Sequence, residues 1–473
     1  MDPFLSTLQR ADRGVFDLCT GLSTIAIRDQ MVRAIMLADR LPAWLEQEHG
    51  GDHKQWPVLM IGGGACGMTA AVALARQGFR VLVIDRNRVP FTVQRNCTTR
   101  WLDPTQYDWP LDHWRRQRFR WSTNHRQPPF PWQAARASGI VRNQWVPRLR
   151  THRNAVGLNL RFLGETDADL DTIQIRVSQP NLLSLDLVNL QTSIRQTLGP
   201  FGAIVLAAGF GAERCTLPGS PQFVGFPFWR TDTFETPACG LALENAQQGT
   251  VLISGTGDGA LQDFLRVITR RKSVRAIFDD LGLGAIPFAV EAIYSAEQRA
   301  EKALNWCRTS RDAFASPYLE EVHETHDRVV NALAGNAAVQ AAIQAVAANR
   351  PTRTVLVNTE QIFACTYALN RFLALLLIAG INGTSVQLYS RHRVQQIQST
   401  PPSPPPANPS AQNCLGHPWR VTMLDLNTNN LVVEDANVII LRHGVSALPF
   451  ADATQQLLHD GPRPVPPTHL YPK

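Results

Sequence analysis

Gly62, Gly64 and Gly67 stand at G-x-G-x-x-G spacing, and Asp85 follows at about the 20-residue interval at which an acid accompanies such a turn. Residues of these types in this order suit the holding of a diphosphate and a ribose diol. The first glycine permits a tight turn, the second lets a pyrophosphate reach the backbone, and the third lets a helix pack closely on a strand. The helix that opens there offers free N–H groups and a partial positive charge. The acid accepts hydrogen bonds from the ribose. With their neighbours, the candidate cofactor-binding residues of this turn are Gly62, Gly63, Gly64, Ala65, Cys66, Gly67, Asp85 and Arg86.

The elements that must position them are legible on either side. Val58 to Ile61 is a short apolar run suited to a buried parallel strand. A helix is predicted after the turn, packed closely at Ala71 and stopped at Gly78, and Val81 to Ile84 is a second buried strand that ends at Asp85. A lone glycine pattern is a weak signal, but strand, turn, helix, strand and acid within roughly 30 residues make a specific one.

Two further stretches look like parts of the same machinery. Gly202 to Gly211 (GAIVLAAGFG) reads as a buried strand closing in Ala207, Ala208 and Gly209, whose small size lets a planar ligand or a crossing chain approach. Gly249 to Gln262 (GTVLISGTGDGALQ) repeats the strand–turn–helix pattern with Gly255 and Gly257, Ala260 standing in the third position. It is either a second dinucleotide site or a degenerate repeat that binds nothing. No clean second strand ending in an acid is visible after it. Arg270, Arg271, Lys272 and Arg275 would serve a 2′-phosphate and Asp279 a ribose, so the choice between NADPH and NADH stays open.

Between these stretches the chain is dense in aromatic and polar groups: Asn96, Cys97, Arg100, Trp101, Tyr107, Asp108, Trp109, His113 and Trp114. Pro104 and Pro110 break it into loop or short helices. Such a loop either lines a flavin or substrate pocket or fills a core between domains. On the first reading, Tyr107, Asp108 and His113 are the candidate proton donors or acceptors, with Asp232 a further one.

Composition narrows the class. At 473 residues the chain exceeds one ordinary core and should form two or three domains. Hydrophobic content of 44% with 18% charged residues suits a globular enzyme rather than a disordered chain. A net charge of +7 fits an anionic ligand and does not by itself argue for nucleic acid. The eight cysteines include no C-x-x-C pair, which argues against a structural zinc site or a dithiol redox pair and fits a reducing compartment. The first residues lack a signal-peptide core, and the apolar run Phe372 to Ile381 is too short to span a bilayer. A cytoplasmic protein with no metal, no nucleic acid and no membrane partner is expected.

In the order of its motifs the chain resembles the two-dinucleotide-binding-domain flavoproteins. These are FAD enzymes with a nicotinamide domain inserted in the FAD domain, and they include flavin monooxygenases and pyridine-nucleotide reductases. Gly62, Gly64, Gly67, Ala71, Gly78 and the closing acid match the FAD fingerprint. Val205 to Gly209 resembles the A-T-G stretch, with Ala208 for threonine, and Gly255, Gly257 and Ala260 resemble the nicotinamide loop. Asp85 replaces the usual glutamate. The terminal G-D motif is not evident, and Arg442-His443-Gly444 stands roughly where it would be. No redox cysteine pair follows the first turn, which sets aside the disulfide reductase branch.

The resemblance implies an α/β fold: a Rossmann-type parallel-sheet FAD domain, a second Rossmann-like domain and helical insertions. The expected division is a helical extension at 1–55, an FAD domain at 56–245 with a small β insertion at about 140–198, an NAD(P)-like domain at 246–435 with a helical insert at about 284–350, and a return to the FAD domain with a tail at 436–473. It further implies FAD and NAD(P)H as cofactors and an FAD-dependent oxidoreductase. Its flavin would be reduced by NAD(P)H and reoxidised by a small molecule or oxygen, as in monooxygenases or reductases. Two other readings stay open: a flavin oxidase or dehydrogenase with a vestigial second site, and a non-catalytic FAD/NAD-binding scaffold that recruits a protein partner. Association with a second copy also stays open.

Overall fold

The structure is a computed structural model that describes residues 2–10, 14–19, 26–107, 109–110, 128–175, 182–209, 211, 213–232, 249–304, 316–361, 363, 366–381, 383–399 and 419–444. Strands in chain order are β1 (Val15–Asp17), β2 (Val58–Ile61), β3 (Val81–Ile84), β4 (Trp101–Leu102), β5 (Ala135–Arg136), β6 (Leu160–Leu163), β7 (Thr166–Ile175), β8 (Leu183–Asn189), β9 (Arg195–Phe201) and β10 (Ala203–Leu206). The second half holds β11 (Thr250–Ser254), β12 (Arg353–Asn358), β13 (Val386–Ser390), β14 (His392–Ser399), β15 (Trp419–Asp425), β16 (Leu431–Ala436) and β17 (Val438–Leu441).

Continuous apolar strands need both faces covered, and the first half supplies both covers. The five-stranded sheet β1-β10-β2-β3-β6 is parallel throughout. Val58 and Met60 of β2 point into a core shared with the helices Ile27–His49 and Ala65–Arg76. Leu59 and Ile61 point the other way, onto Leu183, Leu185 and Leu187 of the antiparallel sheet β7-β8-β9, as the two-residue strand period requires. The second half repeats this plan. Its parallel sheet runs β13-β12-β11-β17. Val251 and Ile253 face the helices Asp258–Thr269 and Ala368–Gly380, and Leu252 faces the antiparallel sheet β14-β15-β16.

The α/β architecture is the one expected, but the division of the chain differs at both ends. The first 55 residues are not wholly helical: β1 pairs with β10 in parallel, Val15 opposite Ile204, and forms an edge of the first sheet. At the other end β17 does not rejoin the first sheet. It pairs with β11, Leu441 opposite Ser254, and belongs to the second. An apolar four-residue run fits either sheet, and only long-range pairing decides between them. The Ala-rich insert holds the helices Pro287–Leu304, Ser316–Ala334 and Ala337–Val346, within the crossover from β11 to β12. Among the described residues no single helix is long and apolar enough to cross a membrane.

Candidate functional site

The carboxyl ends of both parallel sheets open onto glycine turns. In the first, Gly62 has φ +113°, and a Cβ there would lie well inside 3.0 Å of the Ala207 backbone. A Cβ on Gly67 would likewise run into the Gly62 carbonyl. These two glycines are required by the fold. Gly64 is different: a Cβ there meets nothing within 4 Å, and no side chain caps the helix it opens. The turn therefore presents open space and uncapped N–H groups, the cradle that a phosphate fills.

Asp85 sits at the end of β3 and braces the turn. Its Oδ2 accepts from the Gly63 N–H at 2.6 Å, and its Oδ1 accepts from the backbone and side-chain N–H groups of Asn87 at 2.7 and 2.8 Å. A carboxylate offers about four lone-pair positions, so this bracing leaves capacity for a ribose hydroxyl. Arg86 turns outward to Asp167 at 2.8 Å, and that hydrogen bond raises its already high pKa. Ala65 is buried. The Cys66 thiol donates to the Gln30 carbonyl, and burial pushes its pKa up to about 12.

Across the turn, Ala207, Ala208 and Gly209 continue from β10, and Gly209 has φ +87° with open space around it. Two residues missed in the sequence arrive beside them from the N-terminal segment. Buried Asp17 ends β1 and accepts from the Cys19 N–H at 2.7 Å, while Leu18 donates to the Leu206 carbonyl. Burial raises both the Asp17 carboxyl and the Cys19 thiol above their usual values. The signal was present in Val15-Phe16-Asp17, an apolar run closing on an acid as at Asp85, but three residues are too few to stand out. This edge of the first sheet is completed by the N-terminal segment, while β17, expected to return to the first domain, pairs with β11 in the second sheet.

The second turn repeats three hydrogen bonds of the first but not the brace from the Gly63 N–H to Asp85, since the Nδ2 of the equivalent Asn358 makes no hydrogen bond among the described residues. Gly255 donates to the Val357 carbonyl as Gly62 does to that of Ile84, at 3.0 and 2.8 Å. Arg442 donates to the Ser254 carbonyl as Ala207 does to that of Ile61, both at 2.7 Å. A Cβ on Gly255 would collide with the Arg442 carbonyl, and one on Gly257 meets nothing within 4 Å. Ala260, fully buried, takes the place of Gly67. The strand equivalent to β3 is β12, and the residue equivalent to Asp85 is Asn358, whose Oδ1 accepts from Glu360 N–H at 3.0 Å just as Asp85 accepts from Asn87. It escaped notice because the helical insert moves it far beyond the usual spacing.

The basic residues read as a 2′-phosphate site lie elsewhere. They follow the C-terminal end of the 12-residue helix Asp258–Thr269, roughly 18 Å from its start. Arg270 donates to the Asn349 carbonyl, Arg271 to Asp280, and Arg275 to Asp279. Neither they nor Asp279 stands at the glycine turn.

Of the catalytic candidates, Asp108 and His113 lie outside the described residues. Tyr107 is buried where the two halves meet, its ring centroid 4.9 Å from that of Tyr367. Burial, with Asp258, Asp103 and Asp29 nearby, raises its hydroxyl pKa, so it stays protonated. The Tyr367 hydroxyl donates to Asp29, in the first turn of the helix Ile27–His49, and the Tyr367 N–H donates to Asp258 at 2.9 Å. Asp258, also bonded by Asn370, is raised by burial to about 7. Trp109 stacks on Phe372 in the second core, so this part of the aromatic stretch ties two cores together. Asp232 is committed to Arg100 at 2.9 Å and Arg266 at 2.6 Å in a buried cluster, away from the glycine turns' open positions.

Among the described residues no group of three or more His, Cys, Asp or Glu is placed to hold a metal ion. The family described as NAD(P)-binding Rossmann-like domain matches residues 60–117. No curated protein matches the sequence. Among solved structures the chain is similar to T. acidophilum thioredoxin reductase, at 8% identity over 82% of this chain and 77% of that one, with a TM-score of 0.36. It is similar also to the bacillithiol disulfide reductase of Bacillus cereus (11% identity, 82% and 78% covered, TM-score 0.38). A third is the FAD-bound desferrioxamine-pathway cadaverine monooxygenase of Erwinia amylovora (12% identity, 85% and 81% covered, TM-score 0.37). The chain carries a Rossmann-type α/β architecture with two parallel sheets, and the match to the NAD(P)-binding Rossmann-like family covers its first glycine turn.

Proposed function

We propose that the chain is an FAD-dependent oxidoreductase that holds FAD in the first crevice and NAD(P)H in the second. The observation that carries this reading is the pair of equivalent turns, each with two positions filled by the fold and one, Gly64 or Gly257, facing open space. A vestigial second site has no need to keep Gly257 a glycine, since nothing packs against that position.

Bound there, the flavin would supply hydride acceptance from the nicotinamide and electron delivery to a small molecule or to oxygen. The chain's own residues bind and orient. Gly64 and the N–H groups of the following helix take the diphosphate, Asp85 the adenosine ribose, and Ala208 and Gly209 leave room for a planar ring. Gly257, Ala260 and Asn358 do the corresponding work in the second crevice. Between the crevices, Tyr107, Tyr367 and Asn370 exclude water around Asp258, the group there able to gain or lose a proton near neutral pH.

The test is spectroscopic. Purified protein should show flavin absorption bands, or acquire them on incubation with FAD, and NADH or NADPH added without oxygen should bleach them. A colourless preparation that takes up no FAD removes the proposal.

A further inference from the structure

The shared hydrogen bonds of the two crevices also align Leu206-Ala207-Ala208-Gly209, at the end of β10, with Leu441-Arg442-His443-Gly444, at the end of β17. The closing glycines have φ +87° and +74°. The third-from-last position of the pattern changes little in its backbone. The next one changes its chemistry, from the methyl of Ala208 to the imidazole of His443. The His443 Nε2 lies 2.8 Å from Oγ of Ser254, a buried residue that ends β11 immediately before Gly255. Its Nδ1 has no partner among the described residues, and the ring is half-buried.

This pair bridges the two strands between which the sheet reverses its direction of growth. From β11 the chain builds outward through β12 to β13, and β17 returns on the opposite side. Ligands of open α/β sheets lie outside the carboxyl ends of the strands at such a switch point. With a diphosphate over Gly257 and the adenosine on the β12 side beside Asn358, the other half of a dinucleotide must lie over β17. There His443 is the polar side chain that the first crevice lacks.

We infer that His443, oriented by Ser254, is a positioning residue that hydrogen-bonds the nicotinamide-ribose half of the dinucleotide in the second crevice. The inference rests on the two-site reading above. The imidazole is well suited to such a contact. Burial, together with Arg214, holds its pKa below the usual value, so at neutral pH it is uncharged, with one ring nitrogen donating and the other accepting. An uncharged ring also does not repel the positive charge of an oxidised nicotinamide.

The test compares ligands that share the adenosine half. Flavin-loaded protein is titrated calorimetrically with NAD+, NADP+ and ADP, the last lacking nicotinamide and its ribose. His443→Ala should weaken the better-bound dinucleotide about tenfold, the worth of one buried hydrogen bond, while ADP binding and flavin content stay unchanged. His443→Gln should recover part of the loss, and Ser254→Ala should lose less in the same direction. Equal weakening of ADP and dinucleotide would mean that His443 only props up the crevice, and no weakening would mean that it touches nothing; either overturns the inference. A wild-type protein that binds neither dinucleotide overturns the two-site reading itself, and the inference with it.

Discussion

Single residues in the first turn divide into those the fold needs and those a ligand needs. Gly62 combines a positive φ with a Cβ position blocked by Ala207, so Gly62→Ala should cost several kcal/mol, of the order measured for strained, overpacked sites of about 1–3 kcal/mol each. Thermal melting of the apoprotein should show it. Gly64→Val, at φ −74° with nothing within 4 Å, should leave the apoprotein melting temperature nearly unchanged and abolish FAD uptake. If both variants behave alike, the division is wrong. These glycines were legible in the sequence because the demand on them is a demand on residue type at fixed spacing. Asn358, Asp17 and the place of His443 were not, because each is set by a strand pairing across many residues: the insert hides Asn358, the run before Asp17 is three residues long, and Arg442-His443-Gly444 drew notice only as standing where a G-D motif would be.

Asp258 carries a second residue-scale prediction. Its carboxyl titrates near 7 in the folded protein, raised by burial, against 3.8 ordinarily. The groups facing it are Tyr367, which caps the helix Ala368–Gly380, Asn370 and Arg371 on that helix, Asp29 on the helix Ile27–His49, and Tyr107. Between the two pKa values the folded chain binds more protons than the unfolded one, so this group's contribution to stability falls as pH rises through that window and levels off above it. Melting curves of wild type and Asp258→Asn, taken from about pH 4 to about pH 8, should diverge in favour of the variant as pH rises. Parallel curves would show that the carboxyl is already ionised at low pH.

At the scale of elements, the N-terminal segment is the part the sequence disguised most. Its long helix was legible from apolar spacing at Val32, Ile35, Met36, Leu41 and Leu45; the last four are buried and Val32 is partly so. Its role was not, because β1 is only three residues long and its partner β10 lies at the far side of the domain in sequence. The segment covers one face of the first sheet with Met31, Leu37 and Trp44 and completes its edge. Removing residues 1–49 would bare Met68 and Val72 of the glycine-turn helix and the free edge of β10. The truncated chain should therefore be insoluble or bind no flavin, whereas removal of residues 1–2 alone should be tolerated. Full flavin loading of the longer truncation would show that the first sheet does not depend on β1.

The two halves of the molecule are joined by charge as well as by aromatic packing. Arg100 comes from the first half, and Asp263, Arg266 and Arg442 come from the second. Asp232 lies in the segment between, and all five are buried. Asp263 bonds to Arg100, to Arg266 at 3.3 Å and to Arg442 at 2.7 Å. Burial opposes its ionisation, yet Arg100, Arg442 and Arg266 hold its carboxyl at about 2. Phe228 lies under both Arg100 and Arg442, 3.9 and 5.8 Å from the guanidinium carbons, and its carbonyl accepts from Arg100. Removing one carboxylate from such a cluster strands several cations away from water, and losing a partner from a buried ion pair costs about 3–5 kcal/mol. Asp263→Ala should therefore lower the denaturation midpoint sharply. Asp263→Asn should do nearly the same, because the amide keeps the volume and loses the charge. The exposed pair Arg420–Asp435 supplies the contrast: at that site, with both side chains about half exposed, Asp435→Ala should cost no more than about 1 kcal/mol. If Asp263→Asn is as mild as Asp435→Ala, the cluster does not join the halves, and their relative placement rests on other contacts, such as the aromatic packing of Tyr107 and Trp109 and the hydrogen bonds from Tyr367 to Asp29 and from Gln106 to Asn370.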